Sequence, residues 1–291
     1  MRAADEAVTV FAEHRQALIG LAYRLLGSRT EAEDVVQETW LRWDRAERSH
    51  IAEPRAYLLR MTANAALDQL RATRTVREAY VGPWLPEPLL TSPDVAEQAA
   101  LADSVSMAML IVLQTLSPLE RAAFVLREAF GFDYAEIAVV LGRSRPAVRQ
   151  LAHRAREHVQ ARRPRFEPDG ALRQAVTERF LRAASSGDLS ALLEVLAPDV
   201  TFLADGGGKI RAPRRTIVGA AKVARFFAAV AKDIPAGTDI HVVHVNGAPG
   251  AVTSVGGTPY AVFIVDVTES GRVGRILLVG NPDKLAAVVL P

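Results

Sequence analysis

Eight arginines lie between Arg143 and Arg165, and Glu157 is the single acid among them. Guanidinium groups bind phosphate oxygens and can hydrogen-bond guanine bidentately, so this stretch has the chemistry of nucleic-acid contact. A run of charge is more often a solvated surface. Here, however, it falls on the second helix of a predicted helix-turn-helix, the element that meets phosphates and base edges in DNA-binding proteins of this kind. DNA contact is therefore the favoured interpretation.

The helix-turn-helix itself is predicted from residues that begin and end helices. Asp133 and Glu136 form a D-x-x-E capping pair, and Gly142 is a typical residue just beyond a helix C-terminus. Ser144 is a good N-cap for the next helix, whose first turn tolerates Pro146. Apolar residues recur at helical spacing on both segments, which predicts that the two helices share one small core.

Composition limits the kind of protein this chain can be. With 291 residues, 49% of them hydrophobic, it is long enough for two or three domains. No apolar run approaches the length of a membrane span, and the N-terminal residues lack the apolar core of a signal peptide. The chain has no cysteine, which excludes disulfides and thiolate zinc sites. We expect a cytoplasmic protein without a metal or a cofactor.

Helical patterns and proline-rich breaks divide the chain. Capping boxes at 30–33 and 117–120 are expected to open helices, and three prolines within 83–88 force an extended backbone. Beyond about residue 170, β-branched runs bounded by glycine or proline indicate strands. The pattern predicts an all-α domain at 1–78, a proline-rich linker at 79–104, an all-α helix-turn-helix domain at 105–163, a hinge at 164–170 and an α+β domain with a curved sheet at 171–291.

The α+β domain should begin with two helices and continue with strands and one inserted helix. The expected helices are 172–185, 188–196 and about 219–232, and the expected strands are 200–203, 240–245, 260–267 and 273–279. In the first domain, an acidic and polar helix precedes a basic one, because five arginines within 55–77 face Asp68 alone.

The order of these parts resembles that of extracytoplasmic-function sigma factors of bacterial RNA polymerase, in the subgroup that carries a C-terminal SnoaL-like cone. Each motif alone is weak, but all of them stand in the expected order over nearly the whole chain. The matching segments are DVVQETWL (34–41), the stretch from Pro54 to Arg71, the helix-turn-helix, WLPEP (84–88), DGGGK (205–209) and NPDKL (281–285).

The resemblance implies partners and sites. Core polymerase is expected to bind Asp34, Gln37, Glu38 and Leu41. The −10 element is expected to meet Arg60, Asn64, Asp68 and Arg71. The −35 element is expected to meet Arg143, Ser144, Arg145, Arg149, Gln150, His153 and Arg154. A solvated acidic helix surface is the alternative for the first set, and a helix surface with an Asp–Arg ion pair is the alternative for the second.

The resemblance also implies an interdomain regulatory set without catalytic residues. We expect the cone to pack against the sigma domains and hold them in a compact arrangement that cannot bind DNA, with Trp84 as apolar anchor. Lys209 or Lys284 is expected to pair with a carboxylate such as Glu87. The full set is Trp84, Leu85, Pro86, Glu87, Pro88, Asp205, Gly206, Gly207, Gly208, Lys209, Asn281, Pro282, Asp283, Lys284 and Leu285.

Two motifs in the cone could be mistaken for ligand sites. His241 and His244 form H-x-x-H, but residues three apart on a strand face opposite sides, so one metal cannot easily bridge them. The glycines of 206–208 lack the spacing of a phosphate-binding P-loop, and they serve either a tight turn or an interaction.

A second class of function is an enzyme, because the cone fold occurs in cyclases and isomerases and fold alone does not grant function. A small ligand bound without chemistry is a milder variant of this alternative. Nothing in the spacing selects among the candidate bases, which are Asp199, Asp205, Asp239, His241 and Asp266. The expectation remains a sigma factor regulated in cis and not an enzyme.

Overall fold

The computed structural model describes residues 2–91, 105–162 and 169–290. Its contacts divide the chain into two compact units. The helical unit comprises Met1–Glu78 with Met109–Arg163, and the sheet unit comprises Ala79–Ala108 with Pro164–Pro291. Within the described ranges, no helix is both long and apolar enough to cross a bilayer.

Several sequence-based expectations lie outside the described residues. These are the expected linker beyond Thr91, the expected hinge up to residue 168, and the arginines at 163 and 165.

Three long helices and one short helix form the first half of the helical unit. Trp43 is buried between them, and its indole N–H donates to the Ala7 carbonyl at 3.0 Å. The buried hydroxyls of Thr39 and Thr62 donate to the Val35 and Leu58 carbonyls of their own helices, and they lie 3.3 Å apart where the two helices meet. The elements are α1 (Arg2–Leu26), α2 (Arg29–Arg45), α3 (Pro54–Ala72) and α4 (Arg74–Glu78).

The start of α2 corrects the sequence-based prediction. The helix begins at Arg29, and its N-cap is Ser28, whose hydroxyl accepts from the backbone N–H of Glu31 at 3.1 Å. Thr30 therefore lies inside the first turn and not at the cap. Ser28 and Glu31 have the same S/T-x-x-E spacing as Thr30 and Glu33, so the local pattern alone could not choose between the two starts.

Four more helices form the second half of the helical unit. The capping boxes at Ser117 and Asp133 are confirmed, and Gly142 ends the first helix of the helix-turn-helix with φ of +59°. Val148 on the second helix is fully buried, as the shared small core requires. The elements are α5 (Met107–Gln114), α6 (Pro118–Glu128), α7 (Tyr134–Leu141) and α8 (Arg145–Arg162).

The two halves of the helical unit pack against each other. Helix α1 contacts α6, and α3 contacts both α6 and α7. Arg121 on α6 is only 5% exposed, and its guanidinium donates to the Leu25 carbonyl at 2.6 Å. Because Leu25 lies in the last turn of α1, this cation sits at the negative end of the helix dipole.

The sheet unit has the predicted α+β fold, and its sheet has seven strands, three more than the sequence predicted. The strand order is β1-β4-β5-β6-β7-β2-β3, and neighbouring strands are antiparallel except β2 and β7. The strands are β1 (Leu90–Thr91), β2 (Leu196–Asp205), β3 (Ile217–Val218), β4 (Thr238–Val245), β5 (Ala248–Val255), β6 (Thr258–Val267) and β7 (Val273–Val279). The helices are α9 (Gly170–Ser186), α10 (Leu189–Val195), α11 (Ala220–Val230) and α12 (Pro282–Leu285), with a 3₁₀ turn at Ala231–Asp233.

Sequence patterns missed three of these strands. Strand β5 contains Pro249 and Gly250, which resemble turn residues. In the fold Gly250 is a close-approach position, because a Cβ there would lie 2.6 Å from the Phe263 carbonyl oxygen. Strands β1 and β3 have two residues each, too few for any periodic pattern.

Both faces of the sheet are packed at its central strands. One face packs on the helices through an aromatic cluster in which the ring of Phe202 lies 5.0 Å from that of Phe227. Val262 and Val279 alternate with the residues of that core, so they lie on the other face, yet they are also fully buried. The described part of the predicted linker, residues 79–91, runs over this second face with α12, which contacts β6. We call residues 79–91 the strap.

Candidate functional site

The strap is joined to the cone at a buried ion pair. Lys284, at the end of α12, is 4% exposed and Asp205, at the end of β2, is fully buried. The Lys284 ammonium donates to the Asp205 carboxylate at 2.8 Å and to the Leu85 carbonyl of the strap at 2.5 Å. Asp205 in turn accepts from the Leu85 backbone N–H at 2.8 Å. One strap residue is therefore held by both members of the pair.

Two strap aromatics complete this centre. The Lys284 ammonium lies 3.3 Å from the ring centroid of Trp84 and 5.2 Å from that of Tyr80, which are cation–π contacts. The Tyr80 hydroxyl donates to Asp205 at 2.5 Å and accepts from the Asn281 amide at 2.8 Å. Burial, followed by the hydrogen bond to Asp205, raises the pKa of Tyr80 above its usual value. We call Tyr80, Trp84, Leu85, Asp205, Asn281 and Lys284 the clasp.

A second attachment lies at the end of the strap. Asn246 accepts from the Leu89 backbone N–H at 3.1 Å through its side chain, and its own N–H donates to the Leu89 carbonyl at 2.8 Å. Asn246 has a left-handed φ of +50°, a conformation that asparagine tolerates better than most residues. Strand β1 then pairs with β4, so the strap ends as an edge strand of the sheet.

The glycines of the DGGGK motif are explained by close packing. A Cβ at Gly207 would lie 2.5 Å from the Asn281 side chain, and one at Gly208 would lie 3.2 Å from Val81 of the strap. Both glycines also have positive φ, of +61° and +71°. The next residue, Lys209, pairs with Asp283 at 2.6 Å. This loop is thus shaped to receive both the strap and the NPDKL motif.

The clasp leaves no obvious reactive carboxylate. Asp205 accepts hydrogen bonds from Tyr80, Leu85, Gly207 and Lys284. Among the other candidate bases, Asp266 pairs with Arg275 and His241 bonds the Ser254 hydroxyl at 3.2 Å. Strands β2 and β4 are separated by three others, roughly 19 Å at the usual strand spacing, so Asp199 and Asp239 do not share a site with each other.

The residues expected to read the −35 element share one property, which is exposure to solvent. All seven lie outside the core that Val148 and Ala152 form with the rest of the helical unit. Arg149 lies over the Tyr134 ring at 5.8 Å. Arg154 is not isolated, since it pairs with Glu120 at 3.0 Å. The exposed residues are Arg143, Ser144, Arg145, Arg149, Gln150, His153 and Arg154.

The expected −10 residues fall on one side of α3. Arg60 and Asn64 are half-buried, and Asp68 pairs with Arg71 at 2.9 Å on the exposed part of the helix. Arg60 lines a cleft of about 530 Å³ whose opposite wall includes Glu136 and other residues of α7. In this closed helical unit, a residue expected to meet the −10 element therefore faces the helix-turn-helix.

The expected polymerase-binding residues form an exposed strip on α2. Asp34, Gln37, Glu38 and Leu41 all face solvent, while Val35 between them is buried. Leu41 is 48% exposed. A large apolar side chain beside acidic groups is the composition that a protein partner can cover.

Two residues with structural roles, the half-buried Tyr80 and the buried Arg121, were missed by sequence reasoning. Tyr80 stands four residues before Trp84, and no motif pointed to it. Arg121 looked like one more surface arginine, yet burial, with a smaller contribution from the nearby Arg77 cation, lowers its pKa to about 10. A polar residue among Leu119, Ala122, Ala123 and Val125 was the available signal for Arg121, because that side of α6 faces the core.

Three family models and several known proteins match most of the chain. Residues 10–76 match Sigma-70 region 2, residues 107–159 match Sigma-70 region 4, and residues 177–278 match the SnoaL-like domain. The chain is 39% identical to the ECF RNA polymerase sigma factor SigJ of Mycobacterium tuberculosis over 95% of this chain and 92% of that protein. It is 38% identical to the probable ECF sigma factor SigI of the same species, over 67% and 69% of the two chains.

A solved structure agrees with the sequence match. The crystal structure of Mycobacterium tuberculosis SigJ superimposes on this chain with a TM-score of 0.77 and 36% identity. The superposition covers 96% of this chain and 98% of that one.

Proposed function

This chain belongs to the extracytoplasmic-function sigma factors of bacterial RNA polymerase, and we propose that its sheet unit regulates promoter recognition in cis through the strap. One observation carries the proposal. The strap connects the two sigma regions in sequence, but it packs as part of the sheet unit. Any change in how the clasp holds the strap therefore acts on the tether between the two promoter-reading regions.

The two sigma regions contact each other in the helical unit, and regulation through the strap can act on this closed arrangement. Promoter positions −35 and −10 are separated by roughly 85 Å of B-form DNA at 3.4 Å per base pair. Packed helices lie about 8–10 Å apart. Because α3 contacts both α6 and α7, the two regions must separate before each can reach its own element. The closed state is thus the inactive one, and core polymerase supplies the competing contacts.

Within this proposal each exposed set has one partner. The strip on α2 contacts core polymerase, the outer side of α3 meets the −10 element, and α8 lies in the major groove at −35. Arginine contacts to phosphate position the protein, whereas Arg149 and Gln150 have the donor and acceptor geometry for reading guanine and adenine.

The enzyme alternative is not favoured. A relative that matches nearly the whole chain is a sigma factor. The carboxylate at the centre of the motifs, Asp205, is neutralised by Lys284 and hydrogen-bonded to the strap. A general base must be free to take a proton from a substrate, and this one has an architectural partner at each oxygen.

Trp84 offers a direct test of the strap. The change Trp84→Ala removes the ring that covers the Lys284 ammonium, so it should loosen the strap and raise run-off transcription with core polymerase. Trp84→Phe keeps an aromatic face over the cation and is the matched control, with output close to that of the unaltered chain. Equal output from Trp84→Ala and the unaltered chain, at equal polymerase saturation, would contradict regulation through the strap.

The polymerase contact is tested separately. Glu38→Lys should weaken co-purification with core polymerase, because it reverses a charge within the exposed strip of α2. Glu47→Lys is the control, since Glu47 is exposed beyond the end of that helix. If both variants bind core polymerase equally well, the strip on α2 is not the contact.

A further inference from the structure

The loop that follows the DGGGK motif carries a concentration of positive charge that the clasp does not use. Lys209, Arg211, Arg214 and Arg215 fall within seven residues that contain no acid. Elsewhere in 169–290 the balance is reversed, with 9 basic residues against 11 acidic ones. Lys209 is neutralised by Asp283. The three arginines therefore form a positive patch in an otherwise slightly acidic domain.

These three arginines are available for a partner. All three are exposed, and none makes an ion pair with any residue in the described ranges. Other exposed arginines of the chain do find carboxylates, for example Arg154 with Glu120. The guanidinium group does not lose its charge in proteins, so the patch stays cationic at any working pH.

The loop presents the patch from a fixed position. Ala212 packs against the main core of the sheet unit, and Ile210 fills the space beside Gly280, where a Cβ would lie 2.4 Å from the isoleucine side chain. Arg211 and Arg214 line the same cavity of about 180 Å³, next to Val81 and Gly82 of the strap. A rigid loop loses little conformational entropy when it binds, so it is suited to a partner with regularly spaced charges.

We propose that Arg211, Arg214 and Arg215 bind the phosphate backbone of promoter DNA, as a third DNA contact besides α3 and α8. The proposal rests on the proposed sigma function, because that function brings a double-stranded polyanion to this chain. Arginine forks match phosphate geometry bidentately, and three of them on one short loop fit successive backbone phosphates better than a single small anion. The cone then serves two purposes: it holds the strap in the free protein and adds affinity on the promoter.

The test is the salt dependence of promoter binding by the reconstituted holoenzyme. In the triple variant Arg211→Gln, Arg214→Gln, Arg215→Gln, the slope of log affinity against log salt should become shallower by about 2 to 3, since each phosphate contact contributes about 0.9. Affinity in 0.1 M salt should fall about tenfold or more. The loss should be equal for promoters with altered −10 or −35 sequences, because backbone contacts carry no sequence information.

A matched control removes the same charge elsewhere in the cone. Lys222, Arg225 and Lys232 are exposed on α11 and in the turn after it, and their replacement by glutamine should leave the slope unchanged. An unchanged slope in the loop variant, or an equal change in both variants, overturns the proposal. Weaker binding to core polymerase with an unchanged DNA slope also overturns it, and assigns the patch to the polymerase. Failure of the unaltered holoenzyme to bind any promoter would instead overturn the proposed sigma function.

Discussion

The Lys284 ammonium lies where a charge is costly unless each of its contacts is in place. It is 4% exposed, and its partners are the Asp205 carboxylate, the Leu85 carbonyl and two aromatic rings. A buried pair of this kind adds little net stability compared with apolar residues of the same shape, but loss of one member is severe because the other charge remains buried. The clasp therefore specifies the position of the strap more than it strengthens the cone.

Removal of one charge of the buried pair should destabilise the sheet unit more than removal of both charges. In Lys284→Met the carboxylate of Asp205 stays buried without its counter-charge, so we expect the sheet unit to lose about 3–5 kcal/mol of unfolding free energy. Chemical denaturation followed by circular dichroism measures the loss.

The double variant Asp205→Asn, Lys284→Met is the control. It removes both charges, and its stability should recover by at least half relative to the single variant. If the double variant is as unstable as the sum of the two single variants, the two side chains do not interact energetically and the clasp has been misread.

At this scale the sequence revealed the residues but not their partners. WLPEP, DGGGK and NPDKL were recognisable as motifs, and Trp84 was expected to be an apolar anchor. The pairings Lys284–Asp205 and Lys209–Asp283 could not be predicted, because they join positions 79 and 74 residues apart through the sheet topology. Tyr80 belongs to no motif, and only the fold shows that its hydroxyl completes the environment of Asp205.

Helix α8 carries the residues that we propose as base readers in its early turns and arginines that hold it to α6 in its later turns. Its early, exposed residues have no partner that fixes them to α6, whereas Arg154 and Arg156 bond Glu120 and Glu128 of α6. The hydrogen bond from Arg156 to Glu128 raises the pKa of that guanidinium. The later arginines thus help to hold α8 on the helical unit, in addition to any phosphate contact they make.

Specificity for the −35 sequence should depend on the early, exposed residues of α8 and not on its later arginines. Arg149→Ala or Gln150→Ala should each change which −35 sequence is preferred, at about 1–3 kcal/mol for each bidentate base contact that is lost. Arg162→Ala, at the exposed end of the helix, should weaken all sequences alike because a phosphate contact carries no sequence information. Binding measured on a set of −35 variants separates these outcomes. Uniform effects from all three changes would show that the base readers have been wrongly assigned.

Helix α6 is expected to control how readily the helical unit opens. Burial makes the Arg121 cation costly, as its lowered pKa indicates, and its Nε finds no partner among the described residues. Arg121→Met keeps the length and removes the charge, so it should stabilise the closed unit and reduce run-off transcription several-fold. Arg121→Lys, which retains a cation, is the control with the smaller effect. Lower stability in Arg121→Met would mean that the bond to Leu25 outweighs the cost of burial.

Elements with strong local signals were predicted well, and those set by tertiary packing were not. The helix-turn-helix was correct because Asp133, Glu136 and Gly142 determine its ends locally. Strand β5 was missed because Gly250 serves a contact with β6 that no local pattern encodes. The strap was expected to be extended, and it is, but its place over the second face of the sheet depends on residues more than 100 positions away.

On the scale of the whole molecule, the chain alternates between the two units. It leaves the helical unit at residue 78, follows the strap on the sheet unit, returns for the second sigma region and ends in the cone. Each sigma region is therefore connected in sequence to part of the sheet unit. This connectivity is the physical basis of the regulation in cis that we propose, because a free-energy change of a few kcal/mol in the clasp can shift the population of the open state by orders of magnitude.

Truncation should separate the two roles that we assign to the cone. A chain ending at Gly280 lacks Asn281 and Lys284, so its strap is released, and its radius of gyration in solution scattering and its run-off transcription should both exceed those of the full-length chain. A chain ending at Arg162 also loses the arginine patch. Its run-off transcription should fall below that of the chain ending at Gly280, because the third DNA contact is gone. Trp84→Ala keeps the whole cone, so it is the control for unfolding of the sheet by the Gly280 truncation. Its radius of gyration should increase in the same way. Equal compactness and equal output across the series would contradict both the regulatory role and the supporting role of the cone.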